Sequence, residues 1–343
     1  MLDWERPQGS ADSALRYSGV GKFMVPARLL KCLTMVFAGL CGVLDATAAQ
    51  AQHPALPKKA GGAAVTQCGK GVSLRLSTSR VSQGSLVVVD VRSREGLGGV
   101  KGNWEGREVG FWEERAGGGK GTTDHWRGLL GVDLEKAAGT YELTVFVTKK
   151  GSDAVGCGAK VTVVAGRFPT ERLKVEGQFV EPNPEQAARA KEEQVRVGAI
   201  FDTVTPERLW KGKFRLPLDG ARTGGNFGRR RVLNGQPRSP HSGVDFPAPT
   251  GTPVHATQAG RVVLAEGMFL PGNTVIVDHG LGVYTLYAHL SKISVGPGDE
   301  VEAGTVLGEV GATGRVTGPH LHWGLEMNRQ RVNAMDLVRV PGR

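Results

Sequence analysis

The stretch NTVIVDHGLGVYTLYAHL, residues 273–290, indicates the fold of the C-terminal part of the chain. Two runs rich in valine, isoleucine, leucine and tyrosine flank His279-Gly-Leu-Gly, which is the pattern of a β-hairpin. Further along, GDEVEAGTVLGEVG (298–311) gives short strands separated by glycines, as in a compact barrel or a curled sheet. We therefore predict an all-β domain, curled or barrel-like, over residues 213–343.

A second β domain is predicted upstream, over residues 66–166. Short apolar runs alternate there with polar and glycine-containing turns: VSLRLS (72–77), SLVVVDVRS (85–93), YELTVFVTKK (141–150) and AKVTVVAG (159–166). Strands at this spacing are typical of a β-sandwich, and we predict an immunoglobulin-like one.

Two segments connect these parts. Residues 52–65 are rich in proline, alanine and glycine and are expected to form a linker. Residues 167–212 are expected to be a partly helical connector, because Pro182 and Pro184 precede the polar helical run EQAARAKEEQVRVGAIF (185–201). The sequence leaves open whether this connector covers a groove in the next domain.

The N-terminus has the features of a secretory signal. Arg28 and Lys31 precede the apolar run CLTMVFAGLCGVL (32–44), and small residues follow up to Ala51. We predict a signal peptide over residues 1–51, with Met24 as an alternative start, and no stable membrane insertion after cleavage. The apolar run is short for a membrane span. An uncleaved anchor helix is the alternative.

Cysteine usage agrees with export. Cys32 and Cys41 fall in the predicted signal, which leaves Cys68 and Cys157 as a pair. In an oxidising compartment such a pair is expected to form a disulfide. The protein is therefore predicted to be periplasmic or extracellular.

The net charge of +10 favours an anionic partner such as nucleic acid, phospholipid or a bacterial wall polymer. No zinc finger, helix-turn-helix or basic-aromatic motif supports nucleic acid, so we expect no nucleic-acid partner.

Histidines are concentrated between residues 241 and 322. HSGVD supplies His241 and Asp245, LYAHLS supplies His289, and HLH supplies His320 and His322. A catalytic zinc site needs three protein ligands and an open position. His241, Asp245 and one ring of HLH satisfy that number, but the residues alone do not decide which ring.

Strand geometry constrains both histidine motifs. His320 and His322 would point to the same face of a strand. Four residues of flat strand span about 13 Å, which is too far for two ligands of one ion. If His241 and Asp245 both bind, HSGVD must bend, and we predict the bend at Gly243.

Residues 213–338 resemble the lysostaphin-type zinc endopeptidases, which cut bacterial cell-wall peptides. The matching motifs are FGRRR (227–231), HSGVDFPAPTGTPVHA (241–256), GNTVIVDHG (272–280), YAHLS (287–291) and GATGRVTGPHLHW (311–323). The resemblance implies one Zn²⁺ per chain, bound by His241, Asp245 and His322. It implies that His289 and His320 are catalytic. One departure is Gly324, where many relatives carry an acidic residue, and Glu326 has the strand parity to replace it.

The resemblance implies a secreted metallo-endopeptidase that cleaves peptide cross-links of peptidoglycan by attack of zinc-bound water. We expect peptidoglycan as partner and a monomer. One alternative is a non-catalytic regulator of wall amidases, which would lack a zinc ligand. Another is a biotinyl- or lipoyl-type carrier, which would need a lysine at a hairpin tip, and no lysine follows Lys292.

Several further residues have predicted roles. Arg229 and Arg230 are predicted to contact substrate, since guanidinium groups pair with the carboxylates of wall peptides, and the alternative is a solvated loop. Asn234 is also predicted to contact substrate, because the loop from Asn234 to Pro240 is expected to form a wall of the binding groove. The same prediction applies to Arg231 as to Arg229 and Arg230, and Asn226 is a weaker candidate for substrate contact. We expect His125 to be a surface loop residue and His255 to be structural or on the surface. We expect His279 to shape the turn or to support a metal ligand rather than to bind metal, and Trp323 to pack in the core.

Overall fold

The computed structural model describes residues 64–114, 124–149, 151, 153–221 and 224–341. The predicted signal peptide, the alternative start at Met24 and nearly all of the linker lie outside the described residues. Within those ranges no helix combines the length and apolar character needed to cross a membrane.

The N-terminal region forms two β-sheets. Its strands are β1 (Val65–Gln67), β2 (Val72–Leu76), β3 (Arg80–Ser82), β4 (Leu86–Ser93), β5 (Leu97–Trp104), β6 (Arg107–Val109), β7 (Phe111–Glu113), β8 (Asp124–Gly131), β9 (Gly139–Lys149) and β10 (Ala154–Val164). One sheet has the order β1-β2-β4-β8-β7 and the other β3-β10-β9-β5-β6. Alternate residues of both sheets, such as Leu74, Val89, Val145 and Val161, are fully buried in one core. The two sheets therefore pack as the predicted sandwich.

The predicted disulfide joins Cys68 to Cys157 across 89 residues. Cys68 lies between β1 and β2, and Cys157 lies within β10. Both sulfur-bearing side chains belong to the sandwich core.

The prediction for His125 is wrong. It lies on β8, is buried, and its Nε2 is 2.7 Å from the carboxylate of Asp90 on the neighbouring strand. Arg127 donates to the same carboxylate from Nε at 3.0 Å. These partners come from pairing of β4 with β8, which the local sequence does not reveal.

The connector contains β11 (Thr170–Leu173), a short 3₁₀ helix (Gly177–Phe179) and α1 (Pro184–Asp202). Asn183 and Gln186 form a capping box at the start of α1, and Pro184 occupies its first turn. The buried residues of α1, Glu193, Val197 and Phe201, are spaced by four and form one face of the helix. The predicted helical connector is thus present.

The C-terminal region is built on a nine-stranded sheet. A hairpin of β12 (Arg230–Leu233) and β13 (Gln236–Arg238) precedes this sheet. The nine strands are β14 (Gly243–Pro247), β15 (Pro253–His255), β16 (Gly260–Met268), β17 (Gly272–Asp278), β18 (Val283–Ile293), β19 (Glu300–Val301), β20 (Val306–Val310), β21 (His320–Met327) and β22 (Gln330–Val332). A short helix, α2 (Ala334–Val338), follows β22. The main strand order is β14-β21-β18-β17-β16-β19, and β20 pairs with β15 and β18. Across the described residues this order does not close into a barrel.

The two faces of this sheet have different neighbours. Tyr287 and Trp323 point into the main core, and Trp323 is fully buried as predicted. Tyr284, Leu286 and Ala288 point to the opposite face, where they pack with Val197 and Phe201 of α1. His322 lies beside Ala288 in the ladder and has the same side-chain direction. Helix α1 therefore covers part of the face that carries the histidine motif.

The sandwich is docked on the sheet through apolar and charged contacts. Trp112 and Leu129 of the sandwich belong to the same buried cluster as Trp210 and Val332. Arg331 on β22 donates to Asp133 of the sandwich at 2.8 and 3.1 Å, and both side chains are buried.

Candidate metal centre

Strand pairing brings the two candidate ligands Asp245 and His322 together. Asp245 on β14 is the direct antiparallel partner of His322 on β21. Side chains of such partners lie on the same face, with Cβ atoms about 4.5–5.5 Å apart. The ladder thus positions a carboxylate beside an imidazole without any help from the loops.

His241 reaches the same point from the loop that precedes β14. Its backbone N donates to the carbonyl of Arg229 at 2.9 Å, and its carbonyl accepts from Gly228 at 2.7 Å. Its Nδ1 donates to the carbonyl of Asn226 at 3.0 Å, which leaves Nε2 as an acceptor or ligand atom. Asn226 therefore acts through its backbone, by orienting His241.

Gly243 has a different role from the predicted bend. The strand begins at Gly243, so His241 lies outside the straight segment, and Gly243 is not among the residues with positive φ. A Cβ at Gly243 would lie 2.5 Å from Cε1 and Nε2 of His322 and 2.9 Å from the carbonyl of Trp323. Glycine is needed here because the His322 ring lies directly against the backbone.

The three donor atoms converge. Nε2 of His241 is 2.8 Å from Nδ1 of His322 and 3.1 Å from Oδ1 of Asp245, and Nδ1 of His322 is 3.0 Å from that oxygen. The carboxylate oxygen and the ring nitrogens are buried and close together. A cation bound by all three would best offset the free-energy cost of burying these polar atoms. Two imidazoles and one carboxylate are also the donor types of catalytic zinc sites. The residues present therefore fit zinc.

The protonation states favour ligation. Burial lowers the pKa of His322 to about 3, so its ring is neutral at pH 7. Burial acts to raise the pKa of Asp245, but the neighbouring His241 and His322 outweigh it and hold this pKa well below its usual range. Neutral imidazole and ionised carboxylate are the forms that bind metal.

His289 and His320 flank this centre. Their ring centroids are 4.9 Å apart, and Nε2 of His320 is 3.7 Å from Oδ1 of Asp245. Nδ1 of His289 donates to the carbonyl of Thr313 at 2.8 Å, and Nδ1 of His320 donates to that of Gly318 at 2.8 Å. Both rings are thus held in the tautomer that leaves Nε2 unprotonated.

Two features of His289 set it apart from an ordinary strand residue. Its φ is +64°, a left-handed conformation that is uncommon for residues other than glycine. It lies where the pairing of β17 with β18 is irregular, and its N–H donates to the carbonyl of Pro271 at 2.9 Å.

Burial lowers the pKa of His289 and that of His320, so both are neutral bases at pH 7.

The predicted substrate residues have different environments. Arg230 is exposed on β12, and Arg229 is partly exposed, with its Nη1 3.3 Å from Glu171 of the connector. Asn234 accepts from the N–H of Val175 and donates to its carbonyl, so its amide group holds the connector.

Arg231 and Glu171 are the residues near the centre that sequence reasoning did not assign to it. Arg231 is buried, with Nη2 3.7 Å from Oδ2 of Asp245. The FGRRR motif predicts only a substrate contact for Arg231. Glu171 carried no local signal, because it reaches the site through strand pairing across 60 residues.

Two further histidines of the described residues, His255 and His279, hydrogen-bond backbone carbonyls and lie outside the ligand cluster. His279 is fully buried and bonds the carbonyl of Ala259 and the hydroxyl of Thr285. His255 lies on β15 and bonds the carbonyl of Gly304.

Known proteins resemble this chain over the segment that contains the three candidate metal ligands. Residues 239–334 match the family described as Peptidase family M23. The peptidoglycan DD-endopeptidase ShyA of Vibrio cholerae is 45% identical over 123 residues, which cover 35% of this chain and 29% of ShyA. The DD-carboxypeptidase/endopeptidase Mpg of Neisseria meningitidis is 42% identical over 129 residues, 37% of this chain and 30% of Mpg. The matched segment thus spans less than a third of either relative.

A solved structure extends the likeness beyond that segment. A peptidase M23 crystal structure from Pseudomonas aeruginosa matches 75% of this chain and 94% of its own, with a TM-score of 0.55 and 29% identity. The fold of the N-terminal region is therefore shared with at least one protein of this type. With the His241, Asp245 and His322 cluster intact, residues 239–334 are a peptidase domain of family M23, the lysostaphin type.

Proposed function

We propose that this protein is a zinc endopeptidase that cleaves peptide cross-links of bacterial peptidoglycan. The observation that carries the proposal is the convergence of His241 Nε2, Asp245 Oδ1 and His322 Nδ1, with two further buried imidazoles beside them. Three ligands and neighbouring bases are what a catalytic metal site requires, whereas a structural site is closed by a fourth ligand.

The residues divide into binding and proton-transfer roles. Zinc bound at this centre supplies Lewis acidity, which activates water and polarises the scissile carbonyl. His289 and His320 present unprotonated Nε2 atoms, so either ring can accept a proton and later return it to the leaving amine. Their protonated forms can stabilise the charge that develops on the carbonyl oxygen.

The substrate class follows from the relatives and from charge. ShyA and Mpg are named as peptidases of DD bonds, and we infer the same bond class here, as in direct cross-links between stem peptides. Stem peptides carry carboxylates, which suit a protein of net charge +10. Arg229, whose backbone carbonyl accepts from the N–H of His241, and the exposed Arg230 beside it are candidates to bind them. The disulfide supports a location outside the cytoplasm, and we propose export by the N-terminal signal.

A non-catalytic amidase regulator is the alternative function. It predicts the loss of at least one ligand or catalytic histidine. His241, Asp245, His289, His320 and His322 are all present, so nothing in the site favours it.

The proposal is tested by digesting purified peptidoglycan with residues 52–343 and identifying the products by mass spectrometry. We expect cross-linked dimers to be converted to monomers, inhibition by a chelator and recovery with Zn²⁺. The His322→Ala variant should be inactive. Unchanged dimers with the zinc-loaded protein, or full activity of His322→Ala, would overturn the proposal.

A further inference from the structure

The buried guanidinium of Arg231 lies between two carboxylates. Its side chain is 0% exposed, with Nη2 3.7 Å from Oδ2 of Asp245 and Nε 3.9 Å from Oε2 of Glu171. Arginine keeps its charge in proteins, so a buried guanidinium requires anionic partners. Asp245 and Glu171 supply them.

The Asp245 carboxylate is divided between two neighbours. Oδ1 faces the nitrogens of His241 and His322 at 3.1 and 3.0 Å, whereas Oδ2 faces Arg231. A carboxylate that faces a cation with one oxygen cannot rotate freely about its Cβ–Cγ bond. Arg231 thereby selects the oxygen that Asp245 offers to the metal position.

Arg231 is in turn held from the connector. β11 pairs in parallel with β12, and Glu171 is the register partner of Arg231. Glu171 also contacts Arg229 at 3.3 Å, and its side chain is 17% exposed. The negative charge of Glu171 offsets the charge of Arg231, so the guanidinium can orient Asp245 with less repulsion of a cation a few ångströms further on.

We propose that Arg231 is a positioning residue for the metal ligand Asp245, and that Glu171 makes the connector strand β11 a working part of the metal centre. The inference rests on the metal site of the proposed function, but not on the substrate or the bond cleaved. Groups that orient metal ligands typically contribute about 10–100-fold to metal affinity.

The test measures zinc affinity of the intact protein by competition with a chromophoric chelator. We expect Glu171→Gln and Arg231→Met each to weaken zinc binding by about 10–100-fold. Arg231→Lys, which keeps the charge, should lose less than Arg231→Met. Glu171→Gln is the gentler variant, because it replaces one oxygen in a side chain that reaches solvent. Thermal melting of the metal-free proteins identifies any variant that fails to fold.

Two matched controls separate positioning from general loosening. Glu181→Gln makes the same change in an exposed residue of the same connector. Arg238→Met removes a guanidinium from β13 that holds the connector through the carbonyl of Val180 at 2.7 Å. Both should keep the zinc affinity of the unmodified protein.

The absorption spectrum of the Co²⁺-substituted protein gives a second measure. If Asp245 loses its orientation, the coordination geometry changes, and the visible bands of Glu171→Gln and Arg231→Met should shift or weaken. Unchanged zinc affinity and spectra in both variants, or equal losses in the controls, would refute the proposal. A protein that binds zinc in an Arg231-dependent way but leaves peptidoglycan intact would refute only the proposed function.

Discussion

At the scale of single residues, the centre depends on close contacts that side-chain chemistry alone does not predict. Gly243 shows this best. HSGVD predicts a bend at Gly243, yet the glycine is required because the His322 ring lies against its α carbon. The two explanations differ in physical cause: a bend needs a backbone conformation that other residues rarely adopt, whereas a close approach leaves no room for a Cβ.

Gly243→Ala is expected to displace His322 and to lower both zinc affinity and peptidase activity. The added Cβ would lie 2.5 Å from the ring, and forcing atoms into a packed site costs about 1–3 kcal/mol. Gly225→Ala is the control, because Gly225 bridges Asp245 but has open space where its Cβ would be. Zinc retention after dialysis measures the effect, and normal retention by Gly243→Ala would show that the ring can move without penalty.

His289→Asn is expected to separate catalysis from metal binding. Asparagine tolerates the left-handed backbone at φ +64°, so the substitution removes the imidazole with little strain. Loss of a general acid or base lowers the rate by about 100–10,000-fold. Zinc affinity should be unchanged, since His289 is outside the ligand cluster. A variant that loses zinc as well would place His289 among the ligands.

At the scale of elements, the connector supports the sheet face that carries His320 and His322. Glu193 of α1 is buried; its Oε2 accepts from the N–H of Phe269 at 2.9 Å and its Oε1 from Arg189 at 2.8 Å. Two residues beyond Phe269, the carbonyl of Pro271 accepts from the N–H of His289. Helix α1 therefore fixes the segment 269–271, and the carbonyl of Pro271 in turn fixes the backbone of His289, a candidate catalytic residue.

Glu193→Ala is expected to lower stability and activity together. It leaves the N–H of Phe269 buried without its carboxylate partner, which costs about 1–3 kcal/mol. The matched control is Glu192→Ala, one residue earlier on the exposed face of α1. Chemical denaturation and peptidoglycan turnover are the two measurements. Equal behaviour of the two variants would mean that the α1 contact does not support His289.

Local sequence signals predict the elements that form from contiguous residues, but not the contacts that form when distant strands pair. The hairpin of β17 and β18 and the helix α1 follow from strand patterning, capping residues and turn glycines in contiguous sequence. The partner of His125 and the role of Glu171 depend on which strands become neighbours. The motifs alone leave the ligand set open, because HLH offers two rings on the same face, and only the family resemblance specifies His322.

At the scale of the whole molecule, the sandwich and the peptidase domain form one packed body within the described residues. The ion pair of Asp133 with Arg331 lies in their interface. Burial acts to raise the pKa of Asp133, but its bonds to Arg331 outweigh burial and lower this pKa from the usual 3.8. The contact is therefore part of the stability of the assembly and depends on pH.

The sign of that dependence is fixed by the lowered pKa. A carboxylate with a depressed folded-state pKa stabilises the protein above its unfolded pKa of about 3.9, and this contribution is lost as pH falls through the lower folded value. Asp133→Asn should lose it already at pH 7. Removing one partner of a buried pair costs about 3–5 kcal/mol, and we expect the lower end because Glu135 still contacts Arg331.

Urea unfolding at pH 7 and pH 3 measures this difference. The gap between the unmodified protein and Asp133→Asn should be large at pH 7 and smaller at pH 3, whereas the exposed control Asp153→Asn should show no gap. A gap that is the same at both pH values would mean that the charge of Asp133 is not what stabilises the interface.

The claim on which the account depends is that one divalent cation is shared by three side chains. It is tested most directly by anomalous diffraction at the zinc edge from crystals of the zinc-loaded protein. We predict one peak per chain, about 2.0–2.2 Å from Nε2 of His241, Oδ1 of Asp245 and Nδ1 of His322. No peak at that position, or a peak bound by other residues, would contradict it.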